Sequence, residues 1–299
     1  MIGAVDIGGT KIAVGLVTRE GQTGDAITLP TRREQSYADG LEQVATSLRT
    51  LAARHGVSID GIGIGTTGRL TGAGALTPNV FLPTWSSHTP ARDLATQFGV
   101  TAAIENDADA ATLAEARWGA GRDVERLIYV TVSTGIGAGM VLARRLYRGV
   151  DGCHPELGHH VVDPSGPACF CGAHGCWESL ASGSALAAWA QSHGGDADWD
   201  ARRVCDLAEA GHPLAQQAIE RTARYLGIGL ANLVTMFAPD CIALGGGVMR
   251  RWNLFRPGVM AVIAQQCGLV PWSRVRLGLA DVAQPGLVGA AAVWLQHSE

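Results

Sequence analysis

Short apolar runs that end in glycine clusters recur along this chain, and stretches with helical spacing fill the intervals between them. The first run, Ile2–Val5, enters Asp6-Ile-Gly-Gly-Thr-Lys11 and leaves through the apolar Ile12–Val17. Strand, glycine turn and strand predict a β-hairpin, not the strand–loop–helix of a Walker P-loop. The layout returns at Arg126–Thr131, where Ile128 and Val130 share a face, and passes through Val132-Ser-Thr-Gly-Ile-Gly-Ala-Gly139 into Met140-Val-Leu. A third glycine turn, Gly245-Gly246-Gly247, closes the strand that begins near Pro239. Helical spacing appears over 37–55, with Leu41, Val44, Leu48 and Leu51 in phase, and again over 90–98. A strand from Val100 to Ile104 runs into Glu105-Asn-Asp-Ala-Asp and then a helix through Leu113 to Trp118. Further helices are expected over 184–194, over 201–237 with a break near Gly211-His-Pro213, over 253–266, and over the Ala-rich 287–296. Val275–Leu279 reads as a strand. Strands alternating with helices predict an α/β fold, and the repeated hairpin predicts two related lobes, each offering a turn.

One stretch tests that reading. Gly63-x-Gly65-x-x-Gly68 has the form of the dinucleotide fingerprint. A Rossmann unit needs a helix to open at the last glycine. Residues 69–78 instead carry Gly72, Gly74 and Pro78 with no helical period, so the expectation is a strand and turn.

Composition narrows the field further. The chain has 299 residues, enough for two domains or one large α/β domain with an ample core. A net charge of −4 gives no basic surface for nucleic acid. The first residues enter a strand without a cationic or apolar leader, and no apolar run approaches bilayer length. The expectation is therefore a cytoplasmic protein without signal peptide or membrane partner. Seven cysteines, three of them in one loop, fit a reduced compartment better than a disulfide framework.

That loop carries the most specific chemistry. Glu156-Leu-Gly-His159 is followed by Cys169-Phe-Cys171-Gly-Ala-His-Gly-Cys176-Trp-Glu178. His159, Cys169, Cys171 and Cys176 make a Cys₃His set, the complement of a closed tetrahedral zinc site. Four protein ligands leave no position for a catalytic water, so the zinc is expected to be structural. His160 is the alternative imidazole, and the spacing to Cys169 favours His159. Glu156 and Glu178 flank the set without belonging to it, and two carboxylates beside a rigid loop suit the hydroxyls of a small polar ligand. Elsewhere, the glycine turns let phosphate approach backbone N–H groups closely. Asp107 sits where a strand gives way to a helix, a place for an N-cap or for a functional carboxylate. Asp109 reads as a cap or first-turn charge. Lys11 reads as a phosphate-attracting group or a solvated turn residue.

Glu-x-Gly-His followed by Cys-x-Cys-Gly-x-x-Gly-Cys-x-Glu resembles the ROK family of bacterial sugar kinases. The wording Asp163-Pro-Ser-Gly-Pro-Ala-Cys169 and Glu178-Ser-Leu-Ala-Ser-Gly183 looks most like its N-acetylmannosamine kinases. The resemblance implies an actin-like (ribonuclease H-like) ATPase fold with two lobes around a central cleft. The N-terminal lobe is expected over 1–118, with the last helix (287–299) packing back on it, and the C-terminal lobe over 119–286. It also implies roles. Asn79, Asn106, Glu156, His159 and Glu178 would bind the sugar and Asp107 would be the base. Asp6 would help hold Mg²⁺. Gly8, Gly9, Thr10 and Lys11, then Ser133, Thr134, Gly135 and Gly137, and finally Gly245, Gly246 and Gly247, would serve the ATP side. Thr67-Gly68, where most ROK glucokinases have Pro-Gly, points to the mannosamine kinases. The implied reaction is transfer of the ATP γ-phosphoryl group to a sugar 6-hydroxyl, with closing lobes excluding water. An ordinary carboxylate near pKa 4 would make Asp107 a poor base, with proton transfer late. Glucokinase and N-acetylglucosamine kinase are the alternatives, a non-catalytic sugar-sensing regulator is the reading from another class, and a homodimer or homotetramer is implied by analogy.

Overall fold

The structure is a computed structural model that describes residues 1–298. It divides into two compact units. The first comprises Met1–Glu125, Gly139–Pro155 and Asp281–Glu299; the second comprises Arg126–Ala138 and Glu156–Ala280. The sequence boundary at 118/119 therefore differs from this division, because 139–155 returns to the first unit. Nothing in local residue pattern marks that return.

In the first unit, β1 (Ile2–Ile7), β2 (Lys11–Val17), β3 (Thr23–Pro30), β4 (Gly61–Thr66) and β5 (Thr101–Asn106) form a sheet in the order β3-β2-β1-β4-β5. β1 pairs antiparallel with β2 and parallel with β4, which pairs parallel with β5. β3 was not expected from the sequence: it lies at the sheet's edge, and five of its eight residues are exposed, so it lacks an apolar run. Its continuation clamps the first glycine turn, with Thr31 donating through its N–H to the Thr10 carbonyl at 2.9 Å and through Oγ1 to the Gly8 carbonyl at 2.7 Å.

Helices cover both faces. Helix α1 (Tyr37–His55) begins where the Ser36 hydroxyl accepts the Asp39 N–H and ends on Gly56 at φ 62°, a left-handed stop that glycine takes without strain. Its predicted stripe of Leu41, Val44, Leu48 and Leu51 is buried against Val5, Ile7, Ile62 and Ile64. Helices α2 (Pro90–Phe98) and α3 (Asp107–Trp118) flank β5 in sequence. The last helix of the chain, α9 (Pro285–Ser298), packs on the other side, where Leu287, Ala290, Ala291, Trp294 and Leu295 cluster with Ile2, Ala4 and Val17. Period-two alternation in β1 thus sends Ile2 and Ala4 to α9, and Val5 and Ile7 to α1. The approach of α9 is unusually close. A Cβ on Gly63 would strike the Ala290 backbone, and one on Gly61 would strike the Trp294 indole.

The second unit is built around β6 (Arg126–Val132), β9 (Cys241–Gly245) and β10 (Arg276–Leu279), which run parallel to one another. The full order of this sheet is β10-β9-β6-β7-β8, where β7 spans Ile136–Leu142 and β8 is the two-residue Arg145–Leu146. The division between units falls within β7, after Ala138. Five helices accompany the second unit's strands: α4 (Trp177–Ala181), α5 (Gly183–Ser192), α6 (Ala201–Glu209), α7 (Pro213–Phe237) and α8 (Trp252–Gln266). The expected break between α6 and α7 occurs, with Pro213 at the first position of α7, where its missing N–H is not needed. Trp177, Leu226, Leu230, Phe255 and Ile263 are among the buried residues of this unit. No helix opens at Gly68; β4 runs into a loop, and the dinucleotide fingerprint is a coincidence of spacing.

The glycine contact generates a stability prediction. Gly63→Ala is expected to destabilise the protein by about 1–3 kcal/mol or more, because backbone must move. Gly72→Ala, where no atom lies within 4 Å of the added methyl, should stay within about 0.5 kcal/mol of the parent. Equal urea midpoints for the two variants would show that the β4–α9 approach is not a tight contact.

Candidate active site and metal loop

In the first unit, parallel pairing aligns the carboxyl ends of β1, β4 and β5. Asp6 is in register with Gly65, and Gly65 with Glu105. A Cβ on Gly65 would meet the Asp6 carboxylate and the Asp107 Cα, each at 3.9 Å. Absence of a side chain there leaves Asp6 and Asp107 as neighbours. Asn106 is the N-cap of α3: its Oδ1 accepts the Ala108 N–H at 2.9 Å and the Asp109 N–H at 3.4 Å, and its Nδ2 donates to the Gly68 carbonyl at 3.2 Å. The cap is therefore Asn106, and Asp107 is the first helical residue, with Oδ1 accepting from the Ala108 N–H at 2.8 Å. Asn79 lies on the other side of Gly68, which turns at φ 93° with no room for a side chain against the Asn79 amide. The Asn79 Oδ1 accepts the N–H groups of Phe81 and Leu82, whereas its buried Nδ2 has no partner among the described residues. An orphaned buried donor is a group that a ligand would complete.

The electrostatics of this corner depart from the sequence expectation. Burial pushes the Asp6 carboxyl above its usual range, with the Lys11 cation pulling the other way. Burial and then the Asp6 charge raise Asp107 to about 6, against the Ala108 N–H that favours its ionised form. Burial also lifts Asp109 to about 6, although the Arg148 guanidinium opposes it. The first glycine turn holds Gly8, Gly9 and Thr10, where the Gly8 N–H donates to the Lys11 carbonyl at 2.9 Å, and Lys11 itself is exposed.

In the second unit, the turn from Ser133 to Gly137 is the meeting point. Glu178 accepts the Ile136 N–H at 2.8 Å, and a Cβ on Gly135 would strike that carboxylate. Gly158 packs so closely that a Cβ would meet the Ile136 carbonyl, which brings the Glu156–His159 turn onto the same residue. The Gly183 N–H donates to the Ser133 carbonyl at 2.7 Å. Gly246, at φ 91°, lies against the Val132 backbone, while the Ser133 and Thr134 residues are exposed. A cavity of about 770 Å³ opens beside them, lined by Ser133, Thr134, Gly183, Asp200, Gly247 and Arg250 among others. Gly245 adjoins it in sequence, its backbone against Tyr129. Gly183 was part of the resembling Glu178–Gly183 stretch, but Asp200 and Arg250 carried no sequence signal; they reach the cavity through the placement of α6 and the loop after β9.

The metal loop is assembled as its spacing implied. The ligand atoms of His159, Cys169, Cys171 and Cys176 all lie within 4.8 Å of one another. Cys169 Sγ is 3.4 Å from His159 Nδ1, and the Cys171 and Cys176 sulfurs are 3.5 Å apart. Ligands about 2.0–2.3 Å from one ion stand at such separations, so the donor set fits a tetrahedral metal. His160 is not part of it: its Nδ1 faces the Leu157 carbonyl and its ring lies 5.3 Å from that of Trp177. None of the seven cysteines, all among the described residues, is in a disulfide. The Trp177 N–H donates to the His160 carbonyl at 2.9 Å, so the histidine turn and the Cys176–Glu178 segment run side by side.

Two sheets carrying glycine turns and a Cys₃His loop define a class of protein before any relative is considered. Comparison with known proteins makes it specific: residues 2–297 match the ROK family, and the chain belongs to it. A glucokinase of Thermotoga maritima is 33% identical over 270 residues, 85% of this chain and 84% of that protein. An N-acetylmannosamine kinase of Escherichia coli O139:H28 is 38% identical over 253 residues, 82% of each chain. The crystal structure of a ROK hexokinase from Thermus thermophilus superposes with a TM-score of 0.85, at 35% identity and 99% coverage of both chains. The fold is thereby the actin-like ATPase fold. No helix among the described residues is long and apolar enough to cross a membrane.

The raised carboxyls can be observed directly. Carbon-detected NMR of the aspartate carboxyls should show a coupled set titrating near pH 6, where ordinary aspartates titrate near 4. A folded-state value above the unfolded one means that ionisation opposes folding, so this group's contribution to stability is lost as pH rises through about 6. Asp107→Asn should remove one of these titrations; a spectrum with every aspartate near 4 would contradict the burial.

Proposed function

We propose that this chain is an ATP-dependent sugar kinase that phosphorylates the 6-hydroxyl of an N-acyl hexosamine, N-acetylmannosamine first. The observation that carries the reading is the buried Asp107 carboxyl held next to Asp6 at the start of α3, in a member of a family whose relatives include sugar kinases. The 38% identity to an N-acetylmannosamine kinase and the Thr67-Gly68 turn favour the amino sugar. A second reading, glucose 6-phosphorylation, is supported by the 33% identity to a glucokinase.

In this mechanism Asp107 accepts the proton of the sugar hydroxyl as the oxygen–phosphorus bond forms and the bond from the γ-phosphorus to the departing ADP breaks. A base near 6 is better matched to neutral pH than one near 4, though the alcohol is still far weaker as an acid, so proton transfer remains late. Base assistance of this kind is worth roughly 10²–10⁴-fold, or about 3–5 kcal/mol. Asn79 donates to a sugar oxygen through its unpaired Nδ2. Asn106 has its oxygen committed to the helix cap, and its contact with the sugar would use the remaining N–H. Glu156, His159 and Glu178 are the hydroxyl-binding groups of the second unit. Ser133, Thr134, Gly135 and Gly137, with Gly245–Gly247, hold the nucleotide, for which the adjoining cavity has room. In the first unit Gly8, Gly9, Thr10 and Lys11 face the phosphates. Asp6 would hold the Mg²⁺ that accompanies ATP, and the ion would supply charge neutralisation on the phosphates. His159, Cys169, Cys171 and Cys176 would hold a structural zinc, which would fix the His159 imidazole in one tautomer.

Four measurements check this. A coupled ADP-release assay over N-acetylmannosamine, N-acetylglucosamine, glucose and fructose should give the highest kcat/KM with the first, and turnover of none of them would sink the kinase reading. Asp107→Asn should lower kcat by at least about 10²-fold with sugar binding retained. The parent's kcat/KM should rise with pH through an apparent value near 6. Elemental analysis should find about one zinc per chain, and stripping it with a chelator should lower the melting temperature and raise KM for the sugar. A metal-free enzyme of undiminished activity would exclude this role for the loop.

A further inference from the structure

A second group of charges, outside the residues assigned above, lies at the first turn of α3. Asp109 has a side chain only 1% exposed, and Arg148 reaches it through Nη1 at 2.9 Å. Through Nη2 the same guanidinium contacts Glu105 at 2.5 Å. His154 Nδ1 lies 3.8 Å from the Asp109 carboxylate. Arg148 and His154 belong to the segment 147–154, the last stretch of the first unit before the chain enters the second at Glu156. That segment is itself turned tightly, with Asp151 at φ 53°, Gly152 at φ 74° and the Gly149 N–H donating to the Cys153 carbonyl at 2.8 Å. The far side of Asp109 is closed as well, since a Cβ on Gly139 would lie 2.7 Å from its Oδ1.

A carboxylate this deep in the protein is tolerated only with a counter-charge, and removing one partner of such a pair leaves an uncompensated buried ion. Asp109 stands two residues after Asp107 and Glu105 two before it, so Arg148 bridges the strand end and the helix turn that together present the base. We propose that Asp109 and Arg148 are positioning residues for Asp107: their ion pair, with Glu105 and His154, pins the segment 147–154 to the start of α3 and holds the base on a fixed backbone. Around Asp109 the charged and titratable groups are Glu105, Arg148 and His154; around Asp107 they are Asp6, Asp109 and His154. This inference rests on the kinase reading for its catalytic consequence, while the ion pair itself is tested without substrate.

The experiment compares Arg148→Met, Asp109→Asn and the double variant. Without substrate, melting temperature is followed from pH 5 to 8. Arg148→Met strands the Asp109 carboxyl, raising its folded-state value further, so the stability deficit against the parent should open as pH rises through about 6. It should shrink in the double variant, where no stranded charge remains. On the best sugar, Arg148→Met should lower kcat at least ~10-fold with KM for ATP within about twofold, and the double variant should regain part of that loss. Asp109→Asn, nearly isosteric, should move the rising limb of kcat/KM to lower pH, because a like charge beside Asp107 is gone; a role confined to fold stability would leave that limb in place. If Arg148→Met fails to fold, Asp109→Asn decides alone. A pH-independent deficit in Arg148→Met, or a limb and kcat unchanged in Asp109→Asn, overturns the proposal. A parent that phosphorylates no sugar refutes the activity reading instead, and the melting curves still decide the ion pair.

Discussion

The first unit depends on how closely α9 can lie against the sheet and against α3. At five places this approach requires glycine: Gly61 against the Trp294 indole, Gly63 under the Ala290 backbone, Gly289 against the Ala110 backbone, Gly15 under Leu287, and Gly286 against the Asp6 carboxylate. Each added methyl would have to displace backbone or a buried side chain, so the interface has almost no slack. Its consequence is functional as well as structural. Helix α3 begins with Asp107, β1 ends near Asp6, and α9 is wedged against both. A helix from the end of the chain thus sets the distance between carboxylates near its beginning and its middle.

Burial raises all three carboxyls of this corner above their usual range; the Asp6 charge adds to the rise at Asp107, while Lys11 opposes it at Asp6 and Arg148 at Asp109. The second unit is organised differently. Its turn at Ser133–Gly137 is gripped by Glu178, by the Gly158 backbone and by the start of α5, so the Cys₃His loop and this glycine turn are coupled through a few close contacts. Rigid support from the Cys₃His cluster reaches Glu178 two residues after Cys176, with the buried Trp177 between them.

Much of this was legible beforehand, and for identifiable reasons. Apolar periodicity placed the elements that carry a buried stripe, such as α1, and glycine turns announced the hairpins. The Cys₃His set was legible because metal ligation needs specific residue types at short spacing. The exposed edge strand β3 was missed because nothing buries it enough to impose a pattern. Asp109 was taken for a first-turn charge, since its letter says nothing of the arginine 39 positions further on that makes it a buried ion.

The chain by itself determined the alternation of strands and helices, the turns and the Cys₃His spacing, because each is a local consequence of φ freedom, side-chain periodicity or ligand chemistry. The tertiary structure decided which carboxyls are neighbours, how far burial raises them, which asparagine caps a helix and which keeps a donor unpaired, and where 139–155 belongs. Those are properties of packing between segments distant in sequence, and desolvation and Coulomb interaction depend on that packing alone.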